Sequence, residues 1–149
     1  EYKIFRRGNL QIGVFGIGIE LRGLVDPKLT GNILYNDPLV NANRISTLLK
    51  NEEKCDLVIC LSHLGYKYDY AKVSDIQLAQ NSKSIDIIIG GHTHTFMDKP
   101  DIYRNKEGEN VIIHQVGWAG IRLGKIDVTF EKNKRNKCVT CEGIWVKEA

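Results

Sequence analysis

Apolar and polar positions at the start of the chain predict a β-hairpin. Tyr2–Phe5 and Gln11–Ile19 are rich in β-branched and aromatic residues, and the Arg-Arg-Gly-Asn segment between them is typical of a turn. The second run is nearly all apolar or glycine, so we expect a strand that is covered on both faces. Leu21–Asn36 shows no period and contains two glycines, which predicts a loop.

The central part of the chain alternates between helical and strand patterns. A helix is predicted from Asp37-Pro38 to Lys50, because Asp is a preferred helix cap and Pro suits the first helical position. Its apolar positions recur every three or four residues and should form one buried face: Leu39, Ala42, Ile45, Leu48 and Leu49. The later elements are a strand at Asp56–Leu61, a loop at Ser62–Lys72, a helix at Ser74–Ser82 with Ile76, Leu78 and Ala79 inward, and strands at Ile85–Ile89, Val111–Val116, Leu123–Phe130 and Gly143–Lys147.

This order of elements predicts an α/β fold with a mixed sheet. Helical crossovers join parallel strands, whereas the meander of strands at the end gives antiparallel pairing. The composition is that of a globular domain, with 42% hydrophobic and 26% charged residues, and no apolar run is long enough to span a membrane. The densest basic run, Lys132–Lys137, has no interleaved aromatics, so we expect a solvated turn or tail and no nucleic-acid binding.

The four cysteines fall into two pairs. Cys55 and Cys60 flank an apolar run, and we expect buried free thiols there. Cys138 and Cys141 form one C-x-x-C, which is too few ligands for a structural zinc site and lacks the strand-to-helix context of a redox motif. A small disulfide would need an exported protein, and the role of this pair stays open.

The chemistry of the chain gathers where two buried strands end. Ser62-His63-Leu64-Gly65 follows the first strand, and Gly90-Gly91-His92-Thr93-His94 follows the second. Ligand sites in open α/β sheets lie at the carboxyl ends of strands, and divalent Zn, Mn or Fe accepts neutral imidazole. A metal site built by His63, His92 and His94 and a set of ordinary surface histidines both stay open on spacing alone. We interpret His114, inside a strand, as structural.

These two motifs resemble the last two motifs of the calcineurin-like metallophosphoesterase superfamily, and most closely those of the bacterial 5′-nucleotidase and 2′,3′-cyclic phosphodiesterase family. The resemblance extends over about residues 2–130 and includes Gln115-Val-Gly-Trp-Ala-Gly-Ile-Arg-Leu-Gly124. It implies the C-terminal half of a four-layer α/β/β/α sandwich that hydrolyses nucleotide phosphomonoesters. Two divalent ions (Zn, Mn, Fe, Mg or Ca) would bind there, with His63 and His92 on the second and His94 on the first, and would activate a hydroxide that attacks phosphorus.

The sequence departs from that family at its other end. The motifs D-x-H, G-D-x-x-D and G-N-H-[DE] do not occur, and neither does the C-terminal nucleotide-specificity domain. The chain opens at Glu1, directly before the predicted strand Tyr2–Phe5, so we expect a fragment or a processed product. Two dications without a bridging carboxylate repel each other. We therefore expect this chain alone to hold at most one metal, weakly, and to be inactive by itself.

Several roles near the site remain alternatives. Gly91 and Trp118 are weak candidates for substrate proximity, although packing is the more common role of a large aromatic. The loop Tyr66–Tyr70 either touches substrate or is solvated.

The whole chain is either half of an enzyme of nucleotide catabolism, a non-catalytic lobe that needs a partner chain, or a related phosphoesterase of cell-envelope metabolism. By resemblance it is periplasmic or at the cell surface. Its expected partners are a phosphomonoester substrate, a second copy or an N-terminal half.

Overall fold

The computed structural model describes residues 1–131 and 137–146. Its elements are β1 (Tyr2–Arg7), β2 (Leu10–Ile17), α1 (Pro27–Thr30), α2 (Pro38–Asn51), β3 (Leu57–Ser62), α3 (Asp75–Asn81), β4 (Ile87–Ile89), β5 (Asp101–Arg104), β6 (Asn110–His114), β7 (Arg122–Phe130) and β8 (Lys137–Trp145). Most of the predicted elements are present. Within the described ranges, no helix is both long and apolar enough to cross a bilayer.

Six strands form one mixed sheet in the order β1-β2-β3-β4-β6-β5. The four central strands, β2, β3, β4 and β6, run parallel, and β1 and β5 pair antiparallel at the two sides. Parallel strands all end at the same side of a sheet. We call this side, where Ile17, Ser62, Ile89 and His114 end their strands, the carboxyl edge.

Helices α2 and α3 cover one face of the sheet. The side chain of Asp37 caps α2 by accepting hydrogen bonds from the amides of Leu39 and Val40 at 2.8 and 3.0 Å. The buried side chains between this layer and the sheet are those of Phe15, Ala42, Ile45, Leu49, Cys55, Val58, Cys60, Leu78, Ala79, Ile88, Val111 and Ile113. The prediction of one buried helical face is therefore confirmed, although Leu39 and Leu48 are only half-buried.

The β7–β8 hairpin covers part of the opposite face. Ile126, Val128 and Phe130 pack there against Leu57 and Ile87 of the main sheet. Helices, six-stranded sheet and hairpin thus give three layers, which agrees with the expected α/β fold and represents part of a sandwich.

Four predictions of local structure need correction. The expected loop at Leu21–Asn36 contains the one-turn helix α1, which begins because Asp26 caps it and Pro27 fills its first position. Strand β5 was not predicted, since its four residues have no strong period. Ser62 belongs to β3 and not to the loop, and β8 begins at Lys137, before the predicted strand. Residues 132–136 of the basic run and Lys147 lie outside the described residues.

The cysteines behave as two different pairs. Cys55 and Cys60 are buried free thiols, as predicted, and burial raises the pKa of both. Cys138 and Cys141 are also free and lie in β8. Residues three apart on a strand point to opposite faces, so this C-x-x-C can neither close on itself nor share an ion.

Leu49 tests the packing of α2 on the sheet. Its side chain is fully buried, so Leu49→Ala removes apolar contacts and leaves a cavity that the sheet cannot close. We expect the free energy of unfolding to fall by about 2–5 kcal/mol in urea titrations. Leu29→Ala makes the same change at a position that is 79% exposed and should cost less than about 0.5 kcal/mol. Equal effects of the two substitutions would contradict this packing.

Candidate metal site

Two of the three candidate ligands lie side by side at the carboxyl edge. His63 follows β3 directly, and its amide donates a hydrogen bond to the carbonyl of Ile17 at 2.9 Å. His92 comes from the turn after β4. The rings of His63 and His92 have centroids 5.2 Å apart and meet edge to face at 67°. Neighbouring parallel strands thus deliver two imidazoles to one place.

The third candidate, His94, is exposed and stacks on Trp118. The two ring centroids are 6.0 Å apart, with an interplanar angle of 17°. His94 is close enough to His92 that its charge contributes to the lowered pKa of His92. Among residues 1–131 and 137–146, no three His, Cys, Asp or Glu side chains are arranged to hold a metal. The structure thus places two of the three candidate imidazoles, those of His63 and His92, side by side.

The spacing of His63 and His92 fits a shared cation. Two imidazoles on one tetrahedral ion have ring centroids roughly 5 Å apart, given metal–nitrogen bonds of about 2 Å. The observed separation is 5.2 Å. Burial, followed by the charges of His63, Lys72 and His94, lowers the pKa of His92. A lower pKa favours the neutral imidazole, which is the form that ligates metals.

We call the segment Gly90–Thr95 the histidine turn. His92 and His94 both have left-handed backbones, with φ of 74° and 54°. This conformation costs a residue with a side chain about 1–3 kcal/mol and persists only where its surroundings hold it. Such strain is common at functional sites.

Glycine at position 91 makes room for His63. A Cβ at Gly91 would lie 3.1 Å from His63 Nδ1, which is closer than most side-chain contacts allow. The segment after His63 is also bonded directly to the histidine turn, because the amide of Tyr66 donates a hydrogen bond to Thr93 Oγ1 at 2.9 Å.

The loop Tyr66–Tyr70 is exposed at Lys67, Asp69 and Tyr70, and its other two tyrosines are half-buried. Tyr66 bonds to the carboxylate of Asp101, and Tyr68 donates to the carbonyl of Leu64 at 2.5 Å. Lys72 Nζ lies 4.8 Å from the centre of the Tyr68 ring and adds positive charge near His92. Lys72, just after this loop, therefore places a cation near the histidines.

Trp118 and His114 have clear positions. Trp118 is 58% exposed, and its ring stacks on that of His94 at the edge of the site. His114 is buried in β6, which agrees with the structural interpretation, and burial together with Arg122 lowers its pKa.

A cavity of about 710 Å³ lies beside Ile17, at the β2 end of the carboxyl edge. It is half open to solvent and is lined by the end of β2 and by residues of the segment 18–41, such as Leu34 and Tyr35. His63, His92 and His94 do not line it. The candidate metal site is therefore an open edge and not a closed pocket.

Comparison with known proteins gives these features a family context. The trifunctional nucleotide phosphoesterase YfkN of Bacillus subtilis is 34% identical over 126 residues, covering 82% of this chain and 8% of that protein. The 5′-nucleotidase of Vibrio cholerae is 26% identical over 155 residues, covering 91% of this chain and 28% of that protein. The chain belongs to the family of 5′-nucleotidases and related phosphoesterases. No protein-family model matches it.

Solved structures of this family share the fold. The 5′-nucleotidase precursor of Thermus thermophilus superimposes with a TM-score of 0.73 at 24% identity, over 97% of this chain and 29% of that one. The calcineurin-like phosphoesterase YfkN gives a TM-score of 0.64 at 25% identity, over 96% of this chain and 49% of that one. The predicted fold class is confirmed. The chain spans between a twelfth and about a quarter of the length of the sequence relatives named here.

The buried roles of two polar residues, Asp75 and Gln115, are not predicted by the sequence patterns of this phosphoesterase-family chain. Asp75, at the start of α3, lies behind the site, and Ser62 Oγ donates a 2.5 Å hydrogen bond to its Oδ1. Its Oδ2 has no hydrogen-bond partner and occupies the space that a side chain at Gly90 would need. Gln115 lies beside it, at the end of β6. An acidic residue in the first turn of a helix is common, so the sequence around Asp75 does not indicate a buried role. Gln115 is a single amide after an apolar run, and this pattern is the one local indication of a buried polar role.

Burial raises the pKa of Asp75 to about 6, and the hydrogen bond from Ser62 offsets part of this shift. The folded chain thus keeps this proton to higher pH than the unfolded chain does. Stability from this group is greatest below the ordinary Asp pKa of about 4 and declines as the pH rises to about 6.

Asp75→Asn should remove that decline. In EDTA, the wild type should lose stability relative to the variant as the pH rises from 4 to 7. The free energy of unfolding of the variant minus that of the wild type should increase by on the order of 3 kcal/mol over this range. Urea unfolding at four pH values measures this. Asp69→Asn, at an exposed position in the preceding loop, should show no comparable trend. A constant difference between the Asp75 variant and the wild type would contradict the buried-carboxyl account.

Proposed function

We propose that this chain supplies the histidine-bearing part of the active site of a metal-dependent, 5′-nucleotidase-like phosphoester hydrolase that acts on nucleotide phosphomonoesters. The observation that carries this proposal is the pair of imidazoles, His63 and His92, 5.2 Å apart at the carboxyl edge. The names of its relatives support the reaction class, since they are a nucleotide phosphoesterase and a 5′-nucleotidase.

His63 and His92 would hold one divalent cation (Zn, Mn, Fe, Mg or Ca), and His94 would contribute to a second position beside it. Bound divalent cations polarise a phosphoryl oxygen and lower the pKa of an attacking water. The chain's own residues place and orient these ligands. The backbone of the histidine turn fixes His92 and His94, and the glycine at position 91 admits the ring of His63.

Charge and shape at the carboxyl edge favour an anionic substrate. Lys72 adds positive potential close to His92, which attracts a phosphate group. Trp118 is exposed beside His94 and Gly91 carries no side chain, so both leave the approach to the histidines open. We assign these two residues to the neighbourhood of the substrate.

The isolated chain would form only part of this site. The described residues place no carboxylate with the imidazoles in a three-ligand group, so a pair of dications would lack a bridging anion. We propose that one cation binds weakly and that hydrolysis needs further ligands from an N-terminal portion of the catalytic domain. Such a protein would act in nucleotide catabolism in the periplasm or at the cell surface.

The apolar face of the sheet supports an association partner. Leu61 and Ile89 lie on the same face as Leu57 and Ile87, beyond the reach of the hairpin, and are 47% and 40% exposed. Exposed apolar groups on a sheet face favour association. The N-terminal portion or a second copy would cover them.

A second candidate is a non-catalytic lobe that serves only as a partner for another chain. The incomplete ligand set favours it. It differs from the first candidate in one measurable respect, because such a lobe does not need to bind a divalent cation at His63 and His92.

The metal proposal is tested by titrating the metal-free chain with Zn²⁺ in a calorimeter. We expect one weak site in the wild type, and we expect its affinity to fall at least about tenfold in His63→Ala and in His92→Ala, since each loses one of the two ligands. Circular dichroism checks that the variants fold. The wild-type chain should hydrolyse p-nitrophenyl phosphate no faster than the two variants.

His114→Gln serves as the matched control, because it removes an imidazole that is buried under the hairpin, where its ring lies beside Gly124 and not among the candidate ligands. It should bind Zn²⁺ as the wild type does. If the wild type binds no ion, or if His114→Gln loses binding while the other two variants retain it, the proposed metal site is wrong. Robust turnover by the wild type would contradict the incomplete-site account.

A further inference from the structure

The side chain of Gln115 makes three hydrogen bonds to the histidine turn. Oε1 accepts from the amide of Thr95 at 2.5 Å and from Thr93 Oγ1 at 3.1 Å, and Nε2 donates to the carbonyl of Gly91 at 2.9 Å. Gln115 is only 2% exposed. The bonded residues 91, 93 and 95 alternate with the two histidines, so one buried amide fixes the backbone on both sides of His92 and of His94.

The backbone of the turn needs such support. His92 and His94 both hold positive φ values, and a turn of this kind relaxes when its surroundings do not restrain it. The antiparallel bridge between Phe96 and Val116 anchors the turn where it ends. Within the turn, the backbone is held by the side chain of Gln115, the residue that directly follows β6.

Glycine at position 90 leaves space for the side-chain amide of Gln115. A Cβ at position 90 would lie 3.0 Å from Gln115 Nε2, a contact that would force the amide to move. The glycine pair that begins the histidine turn thus has two separate uses. Gly91 admits the ring of His63, and Gly90 admits the side chain that holds the turn.

We infer that Gln115 is a positioning residue that holds His92 and His94 in their ligating conformation while touching neither cation nor substrate. The inference rests on the proposed function. The chemistry requires an amide, because the same side chain must accept two hydrogen bonds and donate a third. A carboxylate cannot donate to the carbonyl of Gly91, and an aliphatic side chain can do neither.

The test compares Gln115→Leu with Asn105→Leu. Asn105 is a matched control, because it is also a buried amide whose oxygen accepts from two backbone amides, those of Glu107 and Glu109. It lies between β5 and β6, at the opposite side of the sheet from the carboxyl edge. Both substitutions remove comparable bonds, but only one of them affects the histidine turn.

We expect Gln115→Leu to bind Zn²⁺ about 10–100-fold more weakly than the wild type, as is typical when a residue that orients metal ligands is lost. Asn105→Leu leaves the histidine turn unchanged, so its Zn²⁺ affinity should stay within about twofold of the wild-type value. If Gln115→Leu does not fold, Gln115→Glu, which keeps the acceptor for Thr95, takes its place. Equal Zn²⁺ affinities in the Gln115 and Asn105 variants would overturn the inference.

A second readout needs no metal. In nuclear magnetic resonance spectra of the metal-free chain, the Gln115 variant should lose hydrogen-exchange protection at the amide of Thr95 and shift the signals of residues 91–95. Unchanged signals there would overturn the inference even if Zn²⁺ binds. If the wild type binds no Zn²⁺, the proposed function fails, while these signals still decide whether Gln115 holds the turn.

Discussion

The parallel pairing of β2, β3, β4 and β6 is the constraint on which the rest of this site depends. Because these strands end together, residues that are far apart in sequence, such as His63 and His92, meet at one edge. The helices on one face and the hairpin on the other hold this register by burying the strands between them. The site is thus a consequence of sheet topology, and its ligands need only short loops to reach each other.

Buried polar groups behind the carboxyl edge bond the strand ends to the neighbouring helix and to the histidine turn. Ser62 ties the end of β3 to the buried Asp75, and Gln115 ties the end of β6 to the histidine turn. Both buried side chains lie against Gly90, where a larger residue would not fit. Burying polar groups is costly unless they are hydrogen-bonded, and Gln115 offsets this cost with three hydrogen bonds, whereas Oδ2 of Asp75 has no partner.

Much of this arrangement could be predicted from the sequence, and the reason is local. Patterns among neighbouring residues predict the cap at Asp37, the helical period that includes Leu49 and the apolar run of β3. Strand β5 and the roles of Asp75 and Gln115 depend on contacts between distant segments, which no local pattern records. The same limit applies to the stacking of His94 on Trp118, which joins two separate segments of the chain.

The central claim is that His63 and His92 share one cation. Its most direct test is a crystal structure of this chain grown with Zn²⁺ and measured at the zinc absorption edge. The account predicts one anomalous peak between these two imidazoles, at ligating distance from a nitrogen of each. A zinc peak bound elsewhere, with the rings of His63 and His92 turned away from each other, would contradict it.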